Sequence, residues 1–86
     1  MAALRYSQRF FRGATHLDAH ERAALQRTLR AMEAVETLPT PDDAQTILPP
    51  SMRAFRRRIG TSNRYVYFTV GDGGRDAVIV AVGGYL

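Results

Sequence analysis

The sequence contains no cysteine, no lysine and no tryptophan, and its only histidines are His16 and His20. Without cysteine the protein can form neither a disulfide nor a thiolate metal site, and it has no thiol nucleophile. The two histidines are separated by Asp18, which is predicted to begin a helix, so they would not share one helical face. We therefore expect no metal and no cofactor, and we interpret both histidines as surface or capping residues.

Long hydrophobic segments are also missing. The longest apolar run, 77–82, is far too short to cross a bilayer, and the first residues lack the apolar core of a signal peptide. The sequence therefore predicts a cytoplasmic protein without a membrane partner. Its 86 residues are enough for one domain, spanning 1–86, and 45% hydrophobic content is ordinary for a folded protein.

All 12 basic residues are arginines, and their distribution is uneven. Residues 1–17 carry three arginines and no acid, 18–43 carry three against six acids, and 44–86 carry six against two. Four of them fall within nine residues: Arg56, Arg57, Arg58 and Arg64. Because guanidinium groups do not lose their charge in proteins, this segment predicts a fixed positive surface suited to a polyanion such as RNA.

The first half of the sequence predicts a strand followed by two helices. Residues 2–6 alternate as a short edge strand, and Ser7 is a candidate N-cap for a helix over 8–16. Asp18 with Glu21 has the pattern of a capping box. The helix that follows, over 19–36, places a stripe of apolar residues where it can pack on a sheet: Leu25, Leu29, Met32 and Val35.

The second half predicts a long connection and three strands. All four prolines fall in 37–51, a connection that either holds a turn of helix near 42–47 or borders a functional groove. Strands are predicted over 52–59, 64–70 and 76–82, joined by glycine-containing turns. The predicted fold class is α+β, with a short N-terminal strand and two helices packed on one face of an antiparallel three-stranded meander (β-α-α-β-β-β).

The first strand of the meander carries three consecutive arginines. Because alternate side chains share a face, Arg56 and Arg58 project together, whereas Arg57 points to the helix side with Phe55 and Ile59. An unpaired guanidinium would be costly there. We therefore expect Arg57 to reach the sheet edge, to occupy a bulge, or to pair with one of four acids: Glu33, Glu36, Asp42 or Asp43.

The face that carries Arg56 and Arg58 has three possible uses. If Arg64 joins them, three guanidiniums would hold successive phosphates and stabilise the charge that develops when a ribose 2′-hydroxyl attacks the adjacent phosphate. Nearby tyrosines would then stack on bases. The same arginines would equally serve as a solubilising edge, or as a surface for an acidic or amphipathic segment of another protein.

The order of these elements resembles the RelE/ParE superfamily of bacterial toxins, over nearly the whole chain. The more specific part of the resemblance is Arg64-Tyr65-Val66-Tyr67. It is similar to the family's usual pattern, which is a tyrosine, an arginine, two hydrophobic residues and a second tyrosine. Val80-Ala81-Val82-Gly83 is similar to its closing strand and glycine. The resemblance implies a RelE-like fold, a type II toxin–antitoxin system and a cognate antitoxin as partner.

The resemblance also implies an activity, that of a metal-independent, ribosome-dependent mRNA endoribonuclease that inhibits translation. Arg53, Arg56 and Arg58 would bind RNA, and Arg58 and Arg64 would act in catalysis. Family members commonly continue beyond the closing glycine with a basic residue and then a tyrosine or histidine that transfers a proton. In this sequence Tyr85 is the candidate for that catalytic role.

Two alternatives stay open at this point. Tyr85 lies closer to the last strand than the corresponding family residue, so it is equally a terminal aromatic packed on the sheet edge. Without a proton carrier the protein would be a ParE-like poison of DNA gyrase, or a non-catalytic binding module with a RelE fold.

Overall fold

The computed structural model describes residues 1–46 and 49–84, which form two helices and a five-stranded sheet. The elements in chain order are β1 (Ala3–Tyr6), α1 (Gln8–Ala14), α2 (Ala19–Ala34), β2 (Ala44–Gln45), β3 (Ala54–Arg58), β4 (Tyr65–Val70) and β5 (Asp76–Gly83). The strand order across the sheet is β1-β5-β4-β3-β2. The predicted α+β class is confirmed. None of the helices in these residues is long and apolar enough to span a bilayer.

The predicted meander and the predicted N-terminal edge strand are confirmed, and one unpredicted strand, β2, lies at the other edge. β3, β4 and β5 pair antiparallel, whereas β1 runs parallel to β5 and forms one edge of the sheet. The other edge is β2. Of the two alternatives predicted for this connection, the turn of helix near 42–47 is not found in the described residues. Ala44 and Gln45 instead pair with β3, because this pairing satisfies backbone groups that an isolated helical turn would leave without partners.

Both helices begin where the sequence predicts. The Ser7 hydroxyl accepts a hydrogen bond from the Phe10 N–H at 3.1 Å. At α2, the Asp18 carboxylate accepts from the Glu21 N–H at 2.7 Å, and the Glu21 carboxylate accepts from the Asp18 N–H at 3.1 Å. This reciprocal pair is the predicted capping box. Each helix ends two residues before its predicted boundary.

A β-bulge in β5 is tied to the start of α1. The register between β4 and β5 shifts so that Val80 has no residue opposite. The Ser7 hydroxyl donates to the Val80 carbonyl, and the Ser7 N–H donates to the Ile79 carbonyl at 3.0 Å. One serine therefore caps α1 and also satisfies a backbone group that the bulge leaves out of the ladder.

The core lies between the helices and one face of the sheet. Its most deeply buried side chains are Met32, Leu38, Ile59, Val66, Phe68 and Ile79. Phe10 of α1 and Leu25 of α2 belong to the same cluster. Leu38 comes from the connection after α2, and its N–H donates to the Gly74 carbonyl at 2.8 Å. The connection is thus anchored in the core and to the turn between β4 and β5.

Gly13 brings the backbone of α1 against β5, which generates a stability prediction. A methyl group at this position would collide with the Val82 carbonyl oxygen. We expect Gly13→Ala to lower the free energy of unfolding by about 1–3 kcal/mol, because overpacking outweighs the ~1 kcal/mol helix preference of alanine. Urea denaturation measures the difference.

The matched control for Gly13→Ala is Gly71→Ala. At Gly71 the nearest atom to an added methyl lies 3.6 Å away, an ordinary packing distance. This control is expected to change the free energy of unfolding by less than about 0.5 kcal/mol. A Gly13→Ala variant as stable as the wild type would contradict the close approach of α1 to β5.

Candidate functional site

The hairpin of β3 and β4 carries two arginines and two tyrosines on the sheet face opposite the helices, and of these four side chains Tyr67 is buried. Arg58 lies opposite Tyr65, and Arg56 lies opposite Tyr67. These positions alternate with Val66, which is fully buried in the core. The prediction that Arg56 and Arg58 share a face is therefore confirmed. We call Arg56, Arg58, Tyr65 and Tyr67 the open-face cluster.

Tyr65 lies at the centre of the open-face cluster, between the two guanidiniums. The guanidinium carbon of Arg56 is 4.8 Å from the centre of the Tyr65 ring, and that of Arg58 is 5.6 Å from it. Arg58 Nη2 also donates to the Tyr65 hydroxyl at 3.1 Å. Cation–π attraction and this hydrogen bond hold two positive charges beside one phenol.

The other described tyrosines, Tyr6 and Tyr67, have different surroundings. The Tyr67 ring is 6.3 Å from that of Tyr65, and its hydroxyl donates to the Gly84 carbonyl at 2.6 Å. Tyr6 lies away from the cluster, 5.1 Å from the Phe10 ring in α1. Burial, and then the negative charge of Glu33, raises the pKa of Tyr6 above its usual value. The Tyr67 hydroxyl is thus hydrogen-bonded to the backbone, and the Tyr6 ring packs on the helix side.

Arg57 points into the helix side and is buried, as its position between Phe55 and Ile59 predicts. Its Nε donates to Asp43 Oδ1 at 2.6 Å, and its Nη2 donates to Asp43 Oδ2 at 2.9 Å. Nη2 also donates to the Thr40 hydroxyl at 2.8 Å. The expectation of an acidic partner is confirmed, and Asp43 is that partner. A planar guanidinium suits this two-point contact with a carboxylate.

The same ion pair fixes the connection after α2 to β3. The Asp43 side chain is fully buried, and its carboxylate also accepts from the Thr40 N–H at 2.7 Å. Because Arg57 lies between Arg56 and Arg58 on β3, anchoring it restrains the strand that carries both. The buried pair therefore supports the open-face cluster from the opposite side of the sheet.

Arg64 lies apart from the open-face cluster. Its Nε is 3.3 Å from Glu21 Oε2, at the first turn of α2, and its side chain is 45% exposed. The hypothesis that the guanidiniums of Arg56, Arg58 and Arg64 converge on the open face is wrong for this structure. Arg64 has the same alternation as Val66 and Phe68, so it points toward the helices, at the rim where β4 meets α2.

The two remaining predicted site residues are Arg53 and Tyr85. Arg53 is exposed, has a left-handed backbone with φ 48°, and accepts a hydrogen bond from the Val70 N–H at 3.0 Å. It precedes β3, roughly 16 Å along the strand from Arg58 at about 3.3 Å per residue. The structure therefore does not bring Arg53 together with Arg58. Tyr85 lies outside the described residues.

A groove of about 410 Å³ lies between α2 and β3. A groove bordered by the connection after α2 was one of the two alternatives predicted for that connection, but its lining residues were not predicted. It is lined by Ala24, Arg27, Thr28, Ala31, Asp42, Arg57, Arg58 and Gly60. The connection after α2 borders it through Asp42. The available sequence signal was the row of small residues on one face of α2, which leaves space beside the helix. Within residues 1–46 and 49–84, no three histidine or acidic side chains are grouped to hold a metal ion.

The element order and the mixed five-stranded sheet define a RelE-like fold. A chain of the intact Escherichia coli RelBE toxin–antitoxin complex matches with a TM-score of 0.77 and 14% identity, over 100% of this chain and 99% of that one. The YoeB/ParE toxin from Agrobacterium tumefaciens matches with a TM-score of 0.72 and 10% identity, over 98% and 99%. No protein-family model and no curated protein sequence matches.

A third similar structure is the RelBE2 toxin–antitoxin complex of Mycobacterium tuberculosis. It matches with a TM-score of 0.63 and 17% identity, over 98% of each chain. At such low identity the likeness shows the fold. The protein thus has the fold of the RelE/ParE superfamily, as the resemblance in the sequence implied.

The buried Arg57–Asp43 pair generates a second stability prediction. Asp43→Ala leaves the Arg57 guanidinium buried without its carboxylate, which costs about 3–5 kcal/mol in comparable cases. We expect a loss of this size in the free energy of unfolding, measured by urea denaturation. Asp42→Ala removes an exposed neighbouring acid and should change stability by less than about 0.5 kcal/mol. Equal effects of the two variants would contradict the role of the pair.

Proposed function

We propose that this protein is the toxin of a bacterial type II toxin–antitoxin system, and that it is a metal-independent endoribonuclease that cuts mRNA on the ribosome. The observation that carries the proposal is the open-face cluster, where Arg56 and Arg58 flank Tyr65. Its occurrence on a RelE-like fold is the second support. The activity would inhibit translation in the cytoplasm.

The chemistry of the cluster suits phosphate. A guanidinium binds two phosphate oxygens at once, and two adjacent guanidiniums on a rigid hairpin address consecutive phosphates of a strand. When the 2′-hydroxyl of a ribose attacks the neighbouring phosphorus, the phosphoryl oxygens gain negative charge. Arg56 and Arg58 would stabilise that charge with little rearrangement. Arg53 would contact RNA further along the strand direction.

Arg64 would join the site when RNA binds. Its contact with Glu21 is partly exposed, and such ion pairs contribute only about 0.2–1 kcal/mol. An RNA phosphate therefore competes easily with the Glu21 carboxylate. The N–H of Ile59, next to Arg58, donates to the Arg64 carbonyl at 3.0 Å, so both arginines belong to the same end of the hairpin. Tyr85 stays a predicted catalytic residue.

The proposed partner is a cognate antitoxin. Two of the similar structures were solved as toxin–antitoxin complexes. A protein that binds this toxin would neutralise it by covering basic surface, and an acidic segment is the complementary chemistry for a chain of net charge +4. In cells, co-expression of the neighbouring gene should therefore restore growth.

Induction of the protein in a bacterial host tests the proposed activity. We expect growth arrest, and primer extension on cellular mRNA should show new 5′ ends within translated codons, because cleavage takes place on the ribosome. Growth arrest without new mRNA 5′ ends, accompanied by DNA damage signalling and by loss of DNA supercoiling, would identify gyrase as the target instead. Normal growth on induction would favour a non-catalytic binding module.

Arginine substitutions test the site within this proposal. We expect Arg58→Ala and Arg64→Ala to abolish growth arrest, because each removes a cation that acts on phosphate. Arg30→Ala, on the exposed side of α2, is the matched control and should arrest growth like the wild type. Circular dichroism and melting temperature confirm that each variant is folded. A folded Arg64→Ala variant that remains toxic would remove Arg64 from the site.

A further inference from the structure

The groove between α2 and β3 has a largely buried guanidinium in its lining. The Arg57 side chain is only 10% exposed. Its Nε and Nη2 donate to Asp43 and Thr40, whereas its Nη1 has no hydrogen-bond partner within residues 1–46 and 49–84. In those residues no fully buried side-chain nitrogen or oxygen is left without a partner. The two N–H groups of Nη1 are therefore accessible, and the groove is the opening that Arg57 lines.

Two exposed residues of opposite charge also line the groove. They are Arg27 of α2 and Asp42 of the connection after α2. Neither side chain forms an ion pair with any other part of the chain that the structure describes. Because Asp43 already neutralises Arg57, Arg27 supplies positive charge, Arg57 supplies hydrogen-bond donors and Asp42 supplies an acceptor. This combination suits a ligand that carries both an anionic group and a hydroxyl group.

The wall of the groove between these polar groups is made of small residues. Ala24, Thr28 and Ala31 follow one another on one face of α2, at spacings of four and three. A methyl group at Gly60 would lie 3.4 Å from the Ala24 Cβ, so the turn after β3 closes against α2 at this point. Since the lining side chains of α2 are short here, about 410 Å³ stays open. Small-ligand pockets have volumes of roughly 300–1,000 Å³.

From these observations we infer that the groove between α2 and β3 binds one ribonucleotide of an RNA strand. Its phosphate accepts hydrogen bonds from Arg57 Nη1 and pairs with Arg27, and its ribose 2′-hydroxyl donates to Asp42. Arg58 lines the groove and also belongs to the open-face cluster, so the groove is continuous with the proposed cleavage site. The inference rests on the proposed function for the source of the strand, and it adds a binding site for a nucleotide that flanks the cleaved one.

Asp42 is the reason for choosing a ribonucleotide over other anions. A carboxylate in the groove repels inorganic phosphate, and it also repels an acidic segment of a protein. Within an RNA strand the 3′-oxygen is esterified, so the 2′-hydroxyl is the ribose group that is free to donate. DNA lacks this hydroxyl. The groove should therefore prefer RNA to DNA of the same sequence.

The experiment titrates the purified, ¹⁵N-labelled full chain with a trinucleotide of uridine, with the same trinucleotide of 2′-deoxyuridine and with inorganic phosphate. We expect the RNA trinucleotide to shift the amide signals of Ala24, Thr28 and Gly60. It should bind about tenfold more tightly than the DNA trinucleotide, the size expected for a hydrogen bond to a charged group. Inorganic phosphate should bind more weakly than either. Asp42→Ala should abolish the preference for RNA, because the acceptor of the 2′-hydroxyl is removed.

Two further variants test the groove itself, each with a matched control on α2. Arg27→Ala should weaken binding of both trinucleotides about tenfold, whereas Arg30→Ala, which removes the same charge outside the groove, should not. Ala31→Leu fills the groove without changing charge and should weaken binding of both trinucleotides. Its control is Gln26→Leu, which adds a leucine at an exposed position that does not line the groove.

Several results would overturn the inference. Equal affinity of the wild type for the two trinucleotides would exclude the ribose contact, and equal losses in Arg27→Ala and Arg30→Ala would exclude the phosphate contact. If Ala31→Leu keeps its affinity for RNA but no longer binds a co-expressed partner protein, the groove is a protein-docking surface instead. Growth arrest with mRNA cleavage but without RNA binding in the groove would overturn this inference alone. RNA binding in the groove of a protein that does not arrest growth would support the site and overturn the proposed function.

Discussion

The buried ion pair between Arg57 and Asp43 is the constraint on which the position of β3 depends. Three consecutive arginines cannot all face solvent from a strand, because alternation sends the middle one into the core side. A buried guanidinium is tolerated only with a carboxylate partner and satisfied hydrogen bonds. Asp43 and Thr40 supply both, so β3 keeps its place in the sheet while Arg56 and Arg58 project from the other face.

Charge is therefore divided between the two sides of one hairpin. On the helix side, Arg57 is neutralised by Asp43, and Arg64 is paired with Glu21, which also closes the capping box of α2. On the open side, the guanidiniums of Arg56 and Arg58 lie beside the Tyr65 ring. The proposed contacts of Arg56 and Arg58 with RNA phosphate are therefore assigned to the open side.

Local sequence patterns predicted the elements well, because caps and alternation act over a few residues. Ser7, Asp18 and Glu21 predicted where the helices begin. The alternation of side chains along a strand predicted that Arg56 and Arg57 lie on opposite faces of β3. Contacts between residues far apart in the sequence were harder to predict. Four acids were equal candidates for Arg57, and only the path of the connection after α2 selects Asp43. Likewise, Arg64 meets Glu21 because β4 begins beside the first turn of α2, a juxtaposition that no spacing in the sequence expresses.

The double role of Ser7 has a consequence for how the molecule assembles. Its hydroxyl joins the start of α1 to the bulge at Val80, two positions 73 residues apart. β1 likewise pairs with β5, a strand that lies more than 70 residues later in the sequence. The hairpins of β3, β4 and β5 close over short loops and are cheaper in entropy to form first. We therefore expect β1 to join the sheet last, after the hairpins that supply its partner strand have formed.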